Sequence, residues 1–285
     1  MGLPDKANVG ILLHSLYKSI VFLFLLFLAF SPLTAQTNVN PSKPGGNTLL
    51  RESNNREDFQ LLAHWAGGPC RAVVMRSDTA YITDGGQIEI INCTDSSSPE
   101  PLGSKRFLSD ATGIALSGDY AYVTALYAGL RIIDISNPSN PFEVGFIDTE
   151  GYATDVDLSN SYAYVADRIG GLRIIDISDP CSPSEAGFYS TGGKSEGIAL
   201  SENYAYLTCA GIRIFDISNP SRPTIVGIAG AGSKKIALSG NYAYSVCSNL
   251  NSIDISDPSN PFRVCLTDIW FNRGNNCSGQ LCLYC

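Results

Sequence analysis

The stretch Gly129-Leu130-Arg131-Ile132-Ile133-Asp134-Ile135-Ser136-Asn137-Pro138 decides the fold, because copies of it return along the chain. Close copies run from Gly171 to Pro180 and from Gly211 to Pro220, and a weaker copy runs from Asn249 to Pro258. An earlier copy, Gly86 to Asn92, lacks the aspartate. The anchor positions are 42, 42, 40 and 38 residues apart: Asn92, Asp134, Asp176, Asp216 and Asp254. Such a period indicates one supersecondary unit copied along the chain.

One unit, residues 112–149, contains four candidate strands. Gly113–Ser117 and Tyr120–Thr124 are separated by a short hairpin connection at Gly118, and both are rich in residues that favour strands. Gly129–Ser136 and Phe142–Thr149 flank an Asn-Pro turn. The unit is therefore predicted to be a four-stranded antiparallel sheet.

The third strand of this unit is apolar on both faces. Leu130 and Ile132 point one way, and Ile133 and Ile135 point the other. A sheet that is wetted on one side would alternate strictly, so each unit is expected to lie between two others. Four short strands in each unit, stacked face to face, predict an all-β fold of the β-propeller type. A β-solenoid is the alternative, but its repeats are shorter and hold fewer hairpins.

Five units can be counted, with first strands that begin near Arg71, Thr112, Thr154, Glu196 and Lys234. The segment Phe59–Trp65 precedes them and matches the fourth strand Phe142–Asp148. Propellers often use such an orphan outer strand to complete the last blade and close the ring. The pattern therefore predicts five blades, an orphan strand and an incomplete sixth blade.

The repeated phrase resembles the LVIVD repeat, which occurs in bacterial and archaeal surface or secreted proteins and is thought to form β-propellers. The resemblance covers about residues 71–268, with the motif's aspartate at Asp134 and its proline at Pro138 in the best copies. The first copy departs from the motif at Asn92 and the fifth at residues 251–253. The resemblance implies architecture and location, and the family offers no common catalytic motif.

The N-terminus has the pattern of a signal peptide. Lys18 precedes an apolar run, Ile20–Phe30, and small residues follow up to Ala35, which predicts cleavage after that residue. A membrane anchor is the alternative. Residues 36–57 are polar and predict a disordered leader, so the propeller is assigned to residues 58–268. The protein is thus expected to be exported, as a secreted, periplasmic or cell-surface protein without a membrane span after cleavage.

The tail 269–285 does not follow the repeat and holds three of the nine cysteines in its last nine residues. One set of codons for residues 279–285, read one base later, spells the hairpin of the repeat. A frameshift within a sixth blade is the hypothesis that this favours, and a divergent Cys-rich cap is the alternative.

Charge limits the class of partner. The chain has a net charge of −8, and removal of residues 1–35 leaves a net charge of −9. That balance disfavours nucleic acid and anionic membrane surfaces. His64 is the single histidine after residue 35, so a histidine-based metal site or catalytic triad is poorly supplied.

Most repeated polar residues have a structural interpretation. The anchor aspartates are expected to bond turn backbone rather than a metal. Arg131, Arg173 and Arg213 are expected to pair between blades or to cover apolar surface with their stems. Tyrosine pairs such as Tyr120 and Tyr122 are expected to pack within the sheets before they stack on a sugar.

The connections between strands vary between units, and in a propeller those after the second and the fourth strand emerge on one face. Loops on a rigid scaffold carry function, so this face is the predicted binding surface. Its predicted binding residues are Arg71, Asp110, Asp155, Asp167, Glu196 and Lys234. Several of its acidic residues, with Glu150, offer oxygen ligands to Ca²⁺. No compact Asp-x-Asp-x-Asp loop supports a calcium site, and the simpler expectation is no cofactor.

Six cysteines lie in the repeat region, and export permits disulfides. Cys209 and Cys247 hold equivalent positions in neighbouring units and are the preferred pair, although sequence does not fix the pairing.

The predicted function is that of an exported, non-catalytic binding module with a protein or glycan partner at the cell surface. An extracytoplasmic carbohydrate lyase or hydrolase is the alternative, and it needs an acid and a base that converge on the loop face. A truncated fragment without independent function is the third possibility.

Overall fold

The computed structural model describes residues 70–230, 234–246 and 249–268. These residues form twenty strands, arranged as five four-stranded antiparallel sheets that follow the order of the chain. We call them blades 1 to 5. Blade 1 contains β1 (Cys70–Arg76), β2 (Thr79–Asp84), β3 (Gln87–Asn92) and β4 (Glu100–Arg106). Blade 2 contains β5 (Gly113–Ser117), β6 (Tyr120–Thr124), β7 (Leu130–Asp134) and β8 (Phe142–Ile147).

Blades 3 to 5 repeat the same arrangement. Blade 3 contains β9 (Asp155–Ser159), β10 (Tyr162–Ala166), β11 (Leu172–Asp176) and β12 (Ser184–Tyr189). Blade 4 contains β13 (Gly197–Ser201), β14 (Tyr204–Thr208), β15 (Ile212–Asp216) and β16 (Thr224–Ala229). Blade 5 contains β17 (Lys235–Ser239), β18 (Tyr242–Val246), β19 (Asn249–Asp254) and β20 (Phe262–Asp268). The predicted all-β fold and the five predicted units are confirmed. The first strand of each blade begins within one residue of its predicted position, and β5 has the predicted bounds Gly113–Ser117.

The blades are arranged around their first strands. β1 lies beside β5, β5 beside β9, β9 beside β13, and β13 beside β17. Within the described strands, β17 makes no comparable contact with β1. The five blades therefore form an arc with inner first strands and outer fourth strands.

The core lies between consecutive blades, as the two apolar faces of the third strand predict. Ile133 and Ile135 pack on blade 1 against Ile88 and Ile90. Leu130 and Ile132 face the other way and pack against Val156 and Ile175 of blade 3. Tyr122 joins this second cluster and is almost fully buried, as are its counterparts Tyr164 and Tyr206. The predicted packing role of these tyrosines is confirmed.

The two ends of the blades have different connections. The hairpins between the first two strands and the turns between the last two lie at one end, which we call the turn face. The other connections form the opposite end, the loop face. The hairpins carry one residue with positive φ, which is glycine at Gly118 (φ 53°) and Gly240 (φ 54°). Short hairpins need this backbone conformation because it matches the twist of the strands.

Each junction between blades contains a glycine set against a turn of the next blade. A Cβ atom on Gly145 would overlap the carbonyl oxygen of Pro180. The same contact recurs at the other three junctions and pairs Gly103 with Pro138, Gly187 with Pro220, and Gly227 with Pro258. The carbonyl group of the motif's proline therefore packs directly against a glycine of the preceding blade. Cys265 pairs with Ser252 just as Gly145 pairs with Ile132, so a cysteine stands at the glycine position of blade 5.

Four predictions concern residues outside the described ranges: the signal peptide, the polar leader, the orphan strand Phe59–Trp65 and the aberrant tail 269–285. They stay predictions. Of the residues that are described, none belongs to a helix long and apolar enough to cross a membrane.

Candidate functional site

The turn face is built from repeated side-chain hydrogen bonds. Asp134 Oδ1 accepts hydrogen bonds from the amide of Ser136 at 2.9 Å and from its hydroxyl at 2.6 Å. The amides of Ser178, Ser218 and Ser256 make the same bond to Asp176, Asp216 and Asp254. A second bond of this kind follows three residues later, where the Ser139 amide donates to Asn137. The predicted role of the anchor aspartates in satisfying turn backbone is confirmed.

These hydrogen bonds make the turn face sensitive to acid. The amide and hydroxyl of Ser178 lower the pKa of Asp176 below its ordinary value. The hydroxyls and amides of Ser218 and Ser256 lower the pKa of Asp216 and Asp254 in the same way. A carboxylate whose pKa is lower in the folded state stabilises the fold above its unfolded pKa, and that contribution disappears as pH falls through the folded pKa.

We therefore expect the melting temperature to fall steeply below about pH 4. In the triple variant Asp176→Asn, Asp216→Asn, Asp254→Asn, an amide oxygen still accepts the bond but no longer titrates. Its loss of stability between neutral pH and pH 3 should be smaller than that of the wild type. Calorimetry across this range measures both, and equal losses would contradict the assignment.

On the loop face, the connections after the second strands of blades 2 and 3 pair with the connections that lead into the next blade. Leu126 forms an antiparallel bridge with Ala153, and Arg168 forms one with Ser195. Leu126 (φ 39°) and Arg168 (φ 42°) adopt the left-handed conformation, which is uncommon for residues other than glycine. The residue that follows each of them is turned outward, and Tyr127 is 71% exposed. Strained backbone of this kind concentrates at functional sites.

An aromatic and charged cluster crosses this face from blade 2 to blade 4. The rings of Tyr127 and Tyr152 meet edge to face, with their centroids 4.5 Å apart. The guanidinium carbon of Arg168 lies 5.8 Å from the centroid of Tyr152, and Arg168 Nη2 lies 3.6 Å from Glu196 Oε1. We call Tyr127, Tyr152, Arg168 and Glu196 the loop patch. Hydrogen bonding to Tyr152 raises the pKa of the Tyr127 hydroxyl, which is therefore a neutral group at physiological pH.

Asp167 supports the loop patch from below. Its side chain is fully buried, and it accepts hydrogen bonds from the Thr149 hydroxyl (2.6 Å) and the Gly151 amide (2.9 Å). These bonds fix the connection that presents Tyr152. Burial raises the pKa of Asp167, while the two hydrogen bonds and Arg173 act in the opposite direction. Asp167 was predicted to bind a ligand directly, but its burial assigns it a positioning role.

The other predicted binding residues lie on the loop face but do not form one cluster. Arg71 pairs with Asp110 at 3.2 Å between blade 1 and the connection to blade 2. Asp155 lies at the start of the inner strand β9 and pairs at 3.2 Å with Lys235, two blades away. Lys234 is exposed beside Lys235. Glu196 is the predicted residue that joins the loop patch.

The acidic residues do not assemble a cation site. Among the described residues, no group of three or more histidine, cysteine, aspartate or glutamate side chains could hold a metal ion. Asp110, Asp155 and Glu196 pair with arginine or lysine instead. The predicted gathering of carboxylates around calcium is not seen in this part of the chain.

The repeated arginines contact residues at the ends of strands and in the connections between blades. Arg131 pairs with Asp148 (2.8 Å) of its own blade and lies over the ring of Phe146, 4.5 Å from the centroid. Arg131 therefore covers apolar surface, which is one of the two roles predicted for it. It does not fill the other predicted role, which is pairing between blades. Arg173 and Arg213 bind Glu150 and the Thr191 carbonyl, which belong to the connections that precede their blades.

The cysteine prediction is left open. Cys209 is almost fully buried, and Cys247 lies outside the described residues. No disulfide joins the cysteines that the structure describes: Cys70, Cys93, Cys181, Cys209 and Cys265. The pairing of Cys209 with Cys247 stays a prediction.

The sequence predicted the surface but missed its main residues. Tyr127, Tyr152 and Arg168 all lie in or beside connections that were recognised as variable. The available signal was departure from the repeat. One unit later in the chain, Ile169 holds the position of Tyr127 and Lys194 holds the position of Tyr152. The two tyrosines therefore distinguish the junction of blades 2 and 3 from the next junction.

Five four-stranded blades with inner first strands and a distinct loop face define a β-propeller. The LVIVD repeat model matches residues 109–149, 150–191, 192–229 and 230–265, which is more than half of the chain. The chain belongs to the LVIVD repeat family, as its resemblance predicts. The match covers blades 2 to 5, and blade 1 has the same strand order.

Solved structures agree on the fold. The β-propeller domain of Cps50 (Swd1) from Myceliophteria thermophila is 10% identical, with a TM-score of 0.60 over 73% of this chain and 74% of that one. The Pan2 WD40 domain of Neurospora crassa is 15% identical, with a TM-score of 0.50 over 68% and 64%. The computationally designed protein Ika8 is 13% identical, with a TM-score of 0.53 over 67% of this chain, which spans 59% of Ika8. No curated protein matches the chain.

Proposed function

We propose that this protein is exported and acts at the cell surface as a non-catalytic binding module, with a protein partner bound at the loop patch. The observation that carries the proposal is the pair of the exposed Tyr127 and the partly exposed Tyr152 beside Arg168. Tyrosine and arginine dominate the residues that carry most of the energy of protein interfaces. They are presented by strained turns on a rigid scaffold, so little ordering is needed on binding.

The turn face supports this assignment by contrast. Its aspartates and asparagines are engaged by the turns themselves, and the same bonds repeat from blade to blade. The loop face, in comparison, carries different residues at equivalent positions and holds exposed aliphatic side chains. Leu108 is fully exposed, and Ile169 is more than half exposed. Exposed aliphatic side chains favour a protein partner over a glycan, because sugars stack on aromatic rings and gain little from aliphatic groups.

The carboxylates of the loop face support a binding role rather than acid–base catalysis. Asp110, Asp155 and Glu196 pair with cations, and Asp167 is closed off from solvent. A lyase or hydrolase needs a carboxylic acid and a base that both reach a substrate.

The experiment compares capture of envelope proteins by the wild-type chain and by two variants. Tyr127→Ala with Arg168→Ala should abolish capture of a defined partner, and the turn-face variant Ser139→Ala should retain it. The same preparation, analysed by mass spectrometry, should begin at Gln36 if the chain is exported. Cooperative melting of every variant shows that the chain is folded. Capture that is unaffected by the loop-patch variant, or binding to a glycan array instead, would contradict the proposal.

A further inference from the structure

We propose that a cleft on the outer rim of blade 3 binds a lysine or arginine side chain of a protein partner. The proposal rests on the proposed function, because it names the chemistry of a second contact of the same partner. The cleft is lined by Glu150, Ile169, Gly170, Arg173, Phe188 and Ser190, and we call it the rim cleft. It lies beside the loop patch, since Ile169 follows Arg168 and Glu150 is two residues from Tyr152.

The walls of the rim cleft suit the stem of a long side chain. Ile169 is 62% exposed and Phe188 is 56% exposed, so both present apolar surface to solvent. The guanidinium carbon of Arg173 lies 5.1 Å from the centroid of the Phe188 ring. Lysine and arginine bury an apolar stem along such surfaces and keep the charged group at a polar edge.

The charge of the rim cleft favours a cation. Arg173 is the one cationic residue among those described as lining the rim cleft. It contacts three carboxylates: Glu150 (2.8 Å), Glu185 (3.1 Å) and Asp167 (3.5 Å). Even with Asp167 protonated, two carboxylates face one guanidinium. Glu150 lies at the lip with its side chain 84% exposed, so a partner cation can reach it. The chain's net charge of −8 adds long-range attraction for a basic partner.

The network also explains why an anion or a neutral sugar fits less well. The side chain of Arg173 is only 6% exposed, and its Nε atom, which has no hydrogen-bond partner, is closed off from solvent. The guanidinium therefore offers little to an anionic ligand. A neutral hydroxyl could donate a hydrogen bond to Glu150 but, unlike a cation, would not offset the excess of negative charge.

The equivalent positions in neighbouring blades place their carboxylates differently. In blade 2, Phe146 and Arg131 form the same stack, but Leu108 occupies the position of Glu150, and the exposed carboxylate that binds Arg131 is Asp148, at the end of the blade's own outer strand. In blade 4, Ile228 replaces the aromatic ring, Gly192 replaces Glu150, and Ile225 replaces Glu185. Among blades 2 to 4, an aromatic wall and a carboxylate at the position of Glu150 occur together in blade 3. Blade 2 therefore provides a matched control within the same chain.

The test is an NMR titration of the full chain with N-acetyl-lysine N-methylamide, observed at the Ile169 methyl and Phe188 ring resonances. The uncharged isostere N-acetyl-norleucine N-methylamide should bind about three- to fivefold more weakly. Glu150→Gln, which keeps an acceptor for Arg173, should cause a similar loss for the lysine probe. Phe188→Ala should also weaken binding, and Phe146→Ala should not. Higher ionic strength should weaken binding of the lysine probe but not of its isostere.

Equal affinity for the two probes would overturn the proposal, as would binding of a neutral disaccharide in place of the lysine probe. Insensitivity of lysine-probe binding to Glu150→Gln and Phe188→Ala would also overturn the proposal. If Tyr127→Ala with Arg168→Ala still abolished capture of the partner in that case, the proposed function would stand. Conversely, the proposed function would be refuted if capture of the partner were unaffected by the loop-patch variant. The rim-cleft proposal would still stand in that case if binding of the lysine probe depended on Glu150.

Discussion

Replacement of Gly145 with alanine is expected to lower the free energy of unfolding by about 3 kcal/mol. The added Cβ atom would overlap the carbonyl oxygen of Pro180, which belongs to a turn of the next blade. Backbone cannot move aside as a flexible side chain does, so the junction between blades 2 and 3 must open. Chemical denaturation of the purified variant measures the loss, with the melting temperature as a second readout.

Gly118→Ala is the matched control. Gly118 has a positive φ of 53°, which Gly145 does not have, but a Cβ atom on Gly118 would meet nothing within 4 Å. Its cost is therefore the conformational one alone, about 1 kcal/mol. Equal losses for the two variants would contradict the contact with the Pro180 carbonyl as the main cost of Gly145→Ala.

Replacement of Arg173 with alanine is expected to cost about 3 kcal/mol at neutral pH. The variant would leave Asp167 buried without its guanidinium and would release Glu150 and Glu185. Arg131→Ala is the control, because Arg131 pairs with the partly exposed Glu143 and the exposed Asp148 and should lose about 1 kcal/mol or less.

The cost of Arg173→Ala should also depend on pH. Burial raises the pKa of Asp167 in the folded protein, and loss of the arginine raises it further. A carboxyl group whose pKa is higher in the folded state favours folding more strongly as pH falls, because protonation removes the buried charge. The difference in stability between wild type and variant should therefore narrow as the pH falls from neutral, as denaturation at a series of pH values would show. A constant difference would argue against a charge-based cause.

The sequence predicts the scaffold well because the scaffold is periodic. Ile132 and Ile133 point to opposite faces of one strand, and five copies of that pattern require that each sheet be covered twice. The role of Asp134 follows from its place before an Asn-Pro turn. Each of these features depends on neighbours within a few residues, so a single copy of the repeat is enough to reveal it.

The candidate site could be predicted only as a surface. Tyr127 and Tyr152 are 25 residues apart and meet because two connections from different blades form a bridge, which no local pattern indicates. Asp167 has the sequence context of an exposed loop acid, but its hydrogen bonds to Thr149 and Gly151 depend on the fold of another connection. Residues outside the repeat carry the site, and periodicity says nothing about them.

The contact between a glycine of one blade and the proline turn of the next has a consequence for the evolution of such a protein. All four junctions use the same pair of residues, so the interior blades are interchangeable modules. Duplication or loss of one whole period would join two surfaces that already fit at this glycine–proline contact, so the length of the arc can vary without redesign of that contact. Cys265, at the glycine position of blade 5, marks a surface to which this freedom does not extend.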